Sequence, residues 1–220
     1  MVTATKIRKN TKTTDTGITL EQHSLQPAQK ELERMIEYLA KDMDFKDVHI
    51  VPVIQTQGSR QTYGHFSANR WLEGELKMHE ISISAEWLAR PRMEIFGTVL
   101  HELIHTKNHS LGIVDCRNHG VYHLKAFDTT GSQYGSECIG RTKGNGFGLT
   151  RLTAAKEAQI LAEFKPDDSA FSLVRIAVAK AKRVKQPTTM AKWSCECSNI
   201  RAATEINATC NNCGEDFQKQ

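Results

Sequence analysis

Residues 91–109, PRMEIFGTVLHELIHTKNH, carry two patterns at once. Pro91 suits the opening of a helix, and Ile95, Val99, Leu103 and Ile104 recur at helical spacing, which predicts a helix from about Arg92 to Asn108 with an apolar stripe toward a core. On that helix His101, Glu102 and His105 form an HExxH sequence. Residues four apart share a helix face, so both imidazoles can aim at one ion, while Glu102 is displaced by one position and stands beside that ion. A zinc ion held this way lowers the pKa of its water to about 7, and the adjacent carboxylate takes the proton and passes it to a leaving amine. With nine His and 16 Glu in 220 residues, random placement yields about 0.03 such matches, so composition alone does not account for the motif.

A catalytic zinc needs a third protein ligand and one open position. His109 continues the series of four but lies about 12 Å along the helix from His101, too far to share its ion. A metzincin spacing would place a histidine at position 111, which is Leu111. A more distant glutamate means Glu137, among glycines, or Glu157, on a later helical pattern. His119 and His123 are the better candidates, each reached across a loop long enough to fold back.

Upstream, Leu32, Met35, Ile36, Leu39 and Met43 recur at spacings of three and four, predicting an amphipathic helix over Pro27–Met43. Val48–Gln55, Tyr63–Trp71 and Met78–Ile83 read as strands of a small antiparallel sheet. Downstream come a loop over Ser110–Gly120, a short helical pattern at Tyr122–Phe127, and a stretch from Gly131 to Gly148 whose glycines predict irregular structure. Helical patterns resume at Leu152–Phe164 and Phe171–Arg183, and Gln186–Thr189 reads as a linker. The expected class is α+β.

Charged residues at 25% and hydrophobic residues at 39% fit a globular chain, and no apolar run reaches the roughly 20 residues that span a bilayer. The first ten residues lack the apolar core of a secretory signal, so the expected location is cytoplasmic and no membrane partner is expected. In a reducing compartment the six cysteines read as thiols or metal ligands. The net charge of +4 is uneven. Lys6, Arg8, Lys9 and Lys12 precede any acid, and Arg175, Lys180, Lys182, Arg183, Lys185 and Lys192 lie in a stretch without one. Outside these ten, 19 basic residues face 25 acidic ones. Two basic flanks on an acidic body are either solvated tails or tracks for a phosphate backbone.

Cys195-x-Cys197 and Cys210-x-x-Cys213 lie 12 residues apart. Two close pairs at that separation meet the requirement of a tetrahedral site with four thiolates, which makes residues 192–220 a zinc ribbon. Trp193, Lys192 and Arg201 would suit nucleic-acid contact there, and a purely structural or protein-binding ribbon fits the same residues. Cys116 and Cys138 could join a metal site, but cysteines isolated in the chain read more often as small buried hydrophobes.

Arg90-Pro91, Thr98-Val99-Leu100, HELIH, Asp115 and Tyr122-His123-x-Lys125-x-Phe127 together resemble the SprT-like metalloproteases, a family that includes the Spartan proteases. Gly64-His65-Phe66 to Trp71 and Ile81-Ser82-Ile83-Ser84 look like the family's strands ahead of the active helix. The resemblance covers roughly residues 30–165 and the cysteine tail. It implies a zincin-like fold and favours His123, four residues before the aromatic Phe127, over His119 as third ligand. It further implies a zinc endopeptidase with Glu102 as base, one catalytic and one structural Zn2+, and protein substrates that include DNA-attached ones. The layout expected is a basic flexible tail (1–26), a metalloprotease domain (27–165), a helical extension and linker (166–191) and the ribbon (192–220). Two other readings are a DNA-binding or regulatory zinc protein that keeps the scaffold with little turnover, and a metal-dependent hydrolase of another bond.

Overall fold

The computed structural model describes residues 11–13, 19–21, 24–56, 62–176 and 190–220. They fall into two compact units, 1–177 and 178–220. Most of the expected tail lies outside the described residues, as does the linker at 186–189. Within that tail the backbone of Thr11–Thr13 (β1) pairs antiparallel with Thr19–Glu21 (β2).

The first unit is α+β. Helix α1, Gln26–Ala40, has Pro27 in its first turn, where the missing N–H costs nothing, and buries Leu32, Met35, Ile36 and Leu39, the stripe the periodicity predicts. A single 3-10 turn, Lys41–Met43, ends at Asp44 in left-handed backbone. Strands β3 (Ile50–Gln55), β4 (Gly64–Glu73) and β5 (Leu76–Ser84) form a sheet in the order β3-β5-β4.

This sheet is mixed, and the expectation of an antiparallel one is corrected. β4 and β5 are a hairpin, antiparallel, closed by a turn with Gly74 at φ +60. The hairpin occupies one edge of β5, so β3 takes the other edge, and there it runs parallel to β5. Alternation of apolar and polar residues fixes which face of a strand is buried but not which neighbour it takes. Ile81 and Ile83 of β5 are buried in the core.

Helix α2, Arg92–Ser110, packs against α1 and against β4 and β5. Ile95, Phe96, Val99, Leu100, Leu103 and Ile104 are all buried, so the motif helix is a central element of the core rather than a surface one. Phe96 meets Tyr38 and Phe164 edge-on, with the Phe96 and Phe164 ring centroids 5.0 Å apart. Truncating such a buried ring costs about 3–5 kcal/mol.

The remainder packs along α2, with α3, β8 and β9 all against it. Tyr122–Phe127, expected to be helical, divides instead: Cys116–Arg117 (β6) pairs with Tyr122–His123 (β7), and helix α3 follows over Lys125–Gln133. The stretch expected to be irregular contains the end of α3 and β8 (Ser136–Cys138), which pairs with β9 (Thr150–Leu152). Thr153 caps helix α4, Ala154–Glu163, its hydroxyl accepting from the Lys156 N–H. Residues 171–176 are not helical, and 177–183 lie outside the described residues. Residues 164–171 are held instead by tertiary contacts. Buried Glu31 accepts from the Asp167 N–H at 3.0 Å, Arg92 donates to the Asp168 carbonyl at 2.8 Å and stacks over Phe171. No described helix is long and apolar enough to cross a membrane.

In the second unit Ala191–Ser194 (β10) is the central strand, flanked by Asn199–Ala202 (β11) and Gln218–Lys219 (β12). Trp193 and Cys210 are its only buried residues among those described.

Candidate metal centre

The three histidines meet where α2, β7 and α3 converge. His101 and His105 project from one face of α2. Their Nε2 atoms lie 3.0 and 3.1 Å from Nε2 of His123, at the end of β7. Nitrogens on a tetrahedral zinc with bonds of roughly 2.0–2.1 Å stand about 3.3 Å apart, so the spacing is that of a ligand set drawn slightly tight. His119, in left-handed backbone at the exposed turn between β6 and β7, is not in the cluster. Neither Glu137, paired with Arg151, nor Glu157 joins it.

Each imidazole is held from behind. His105 Nδ1 donates to Asp115 at 2.8 Å, which leaves its Nε2 lone pair free. The Asn108 amide donates to the same carboxylate oxygen at 2.9 Å, and Thr130 donates to Asn108 Oδ1 at 2.6 Å. His101 Nδ1 lies 3.0 Å from the Thr150 hydroxyl of β9. Such partners fix tautomer and ring direction in metal sites. Phe127 underlies all three rings, with centroid distances of 4.6, 4.6 and 4.7 Å. His123 is held through its backbone: its N–H donates to the Asn145 carbonyl and its carbonyl accepts from Phe147. Its Nδ1 is buried without a hydrogen-bond partner.

The glycine-rich loop is the wall behind that ring. A Cβ at Gly148 would lie 2.7 Å from His123 Cε1 and nearer still to Nδ1, and one at Gly146, with φ +60, would strike the His123 carbonyl oxygen. The sequence signal was present as a cluster of glycines, read there as irregular structure when it marks close backbone approach. Asn108, Thr130 and Thr150 carried no local signal, because each comes from a different segment.

The charges suit a cation. Burial, followed by the neighbouring imidazoles, holds His101 well below its ordinary 6.5 and lowers His123 to about 4, so both are neutral at pH 7 with lone pairs available. Burial alone would raise Asp115, but the hydrogen bond and charge of His105 and the Asn108 amide keep it below the usual carboxylate range. Glu102 is pushed up to about 7 by burial, offset in part by His105 and by the Phe66 N–H that it accepts. Cys116 approaches His105 and Asp115 closely enough to form another ligand group. Its thiol is pushed up to about 12 by burial and by Asp115, so without a metal it stays protonated at neutral pH.

The cluster lines an open cleft of about 840 Å³. Gly64, Phe66 and Ser67 of β4, Ile113 and Val114 of the loop after α2 and Cys116 of β6 line it as well. Tyr122 is not in the lining, and its hydroxyl accepts from Arg141 at 3.5 Å.

A second ligand set lies in the ribbon. Cys195, Cys197, Cys210 and Cys213 bring their sulfurs within 4.8 Å of one another, with no disulfide. Cys195 and Cys197 are 3.8 Å apart and Cys197 and Cys210 3.5 Å, against about 3.8 Å for sulfurs on a tetrahedral zinc. The N–H groups of Cys213 and Asn212 hold the Cys210 thiol down, and Gly214 at φ +76 closes the turn. Trp193, expected to suit nucleic-acid contact, is 7% exposed. Both clusters can hold a metal ion. Comparison with protein families, with characterised proteins and with solved structures finds no match, so the chemistry of both centres rests on their geometry.

Proposed function

We propose that this chain is a zinc endopeptidase of the SprT-like type with a zincin-like catalytic unit. The observation that carries the reading is the convergence of three imidazole Nε2 atoms in an open cleft, beside one buried carboxylate. His101, His105 and His123 hold the catalytic ion, and the four ribbon cysteines hold a structural one. When bound, zinc supplies Lewis acidity and an acidified water.

The chain's own residues do the rest. Glu102, fixed by the Phe66 N–H and with a pKa near 7, is matched to accepting a proton at neutral pH and returning it to a leaving amine. Asp115 and Thr150 keep two of the imidazoles in the metal-binding tautomer. β4 is an edge strand of its sheet among the described residues and lines the cleft, so an extended peptide has a backbone to pair with. The resemblance supplies the substrate class, proteins that include DNA-associated ones, and the basic flanks are the proposed DNA contacts.

Zinc-loaded protein incubated with an unfolded polypeptide, with and without single-stranded DNA, tests this reading. Cleavage that Glu102→Gln abolishes while zinc stays bound is expected. Zinc and DNA binding with no turnover on any substrate would favour a binding or regulatory protein on the same scaffold.

A further inference from the structure

Among the described residues, the loop after α2 leaves two branched side chains exposed in the cleft. Ile113 is 38% exposed and Val114 70% exposed, and both line the same cleft as the three histidines. They are not on a loose tip. The Ile113 N–H donates to the Asn108 carbonyl at 2.8 Å, and the Asp115 carbonyl accepts from Leu124 at 2.7 Å. Asn108 and Asp115 are the residues that orient His105, so this apolar pair is mounted on the frame of the metal centre. Of the groups lining the cleft near them, His109 contacts Phe66 and His79. Among the described residues lining the cleft there is no lysine or arginine, and its two carboxylates are taken up, Glu102 by burial and Asp115 by His105.

We propose that Ile113 and Val114 form a specificity subsite that receives an apolar side chain flanking the scissile bond. This rests on the peptidase reading. The occupant follows from continuity: a peptide whose backbone lies at the histidine cluster sets a neighbouring side chain against this pair, and only an apolar one removes its exposed surface from water. Apolar side chains are mostly hidden in folded proteins, so the substrate class is an extended or unfolded segment carrying a branched or aromatic residue next to the cut.

The experiment uses the full zinc-loaded chain and a mixture of unstructured peptides with every residue type at each position, the cut sites being read by mass spectrometry. Leu, Ile or Phe should exceed Ser at one position flanking the cut by about tenfold or more in kcat/KM. Val114→Ser should collapse that ratio. Equal cleavage of Leu and Ser peptides, or a ratio that Val114→Ser leaves intact, overturns the subsite. Should no peptide be cleaved, the peptidase reading falls, and the subsite is judged by fluorescence anisotropy of a Leu-bearing and a Ser-bearing peptide on the Glu102→Gln protein. Tighter binding of the Leu peptide, abolished by Val114→Ser, supports it; equal binding overturns it.

Discussion

Replacing Gly148 by alanine adds one methyl group where His123 already stands. The new Cβ would lie 2.7 Å from Cε1 and 2.9 Å from Cγ of the imidazole, whereas carbon atoms rest against each other at roughly 3.5–4.0 Å. The backbone at 148 is not in the left-handed region, so alanine is opposed by the ring and not by its own conformation. The imidazole must retreat by about 1 Å, while a metal site tolerates shifts of about 0.2 Å in its ligand distances. Disturbing only the groups behind a ligand weakens metal binding by about 10–100-fold, and displacing the ligand itself should exceed that. Zinc affinity is measured by competition with a chromophoric chelator. The ribbon is expected to titrate as a separate class and serves as the internal control. Gly144→Ala is a second control, since a Cβ there meets nothing within 4 Å. Wild-type affinity at the histidine centre in Gly148→Ala would refute the placement of His123 as a ligand.

Asp115→Asn keeps the size of the side chain but removes the charge that His105 donates to, and should weaken zinc at the same centre by about 10–100-fold; unchanged affinity would show that His105 needs no such support. The zinc-free protein should also reveal Glu102 through its pH dependence. Its carboxyl is raised to about 7, so its contribution to stability is present below the unfolded value near 4.5 and is lost as pH rises through 7. The melting temperature of Glu102→Gln should therefore gain on the wild type between pH 5 and 8, and a constant difference would contradict the shift. His123, lowered to about 4, works in the opposite sense: its contribution is present above pH 6.5 and is lost as pH falls through 4, a trend that His123→Asn should flatten. In the ribbon, with only Trp193 and Cys210 buried, bound metal has to supply the folding energy. Chelation should collapse the NMR dispersion of residues 190–220 while resonances of the α1 and α2 core persist; a dispersed, metal-free ribbon would refute this.

The sequence was most informative where periodicity and chemistry coincided. The stripe of α2 and the HExxH residues on it were legible together, since a 3.6-residue repeat fixes both the core face and the face that presents two imidazoles. The four cysteines were legible for a similar reason, their spacing being itself a geometry. His123 was not: residue patterns left it level with His119, and only the family resemblance favoured it. The deciding features are tertiary, namely Phe127 beneath the rings and the backbone of residues 145–148 behind them. Likewise Thr150, Asn108 and Thr130 act on the centre from β9, the end of α2 and α3, and no local window joins those positions. Sheet order escaped because alternation is blind to neighbours. Phe171–Arg183 kept a helical pattern although residues 171–176 follow a non-helical path, with Phe171 under Arg92 and the Arg175 N–H donating to the Ala85 carbonyl.

The most direct measurement is a crystal structure of the zinc-loaded protein with anomalous scattering recorded at the zinc edge. A peak within roughly 2.0–2.1 Å of Nε2 of His101, His105 and His123 is predicted, with Glu102 beside it and outside bonding distance. A peak bound instead by His119, or by the His105, Asp115 and Cys116 group, would contradict the account.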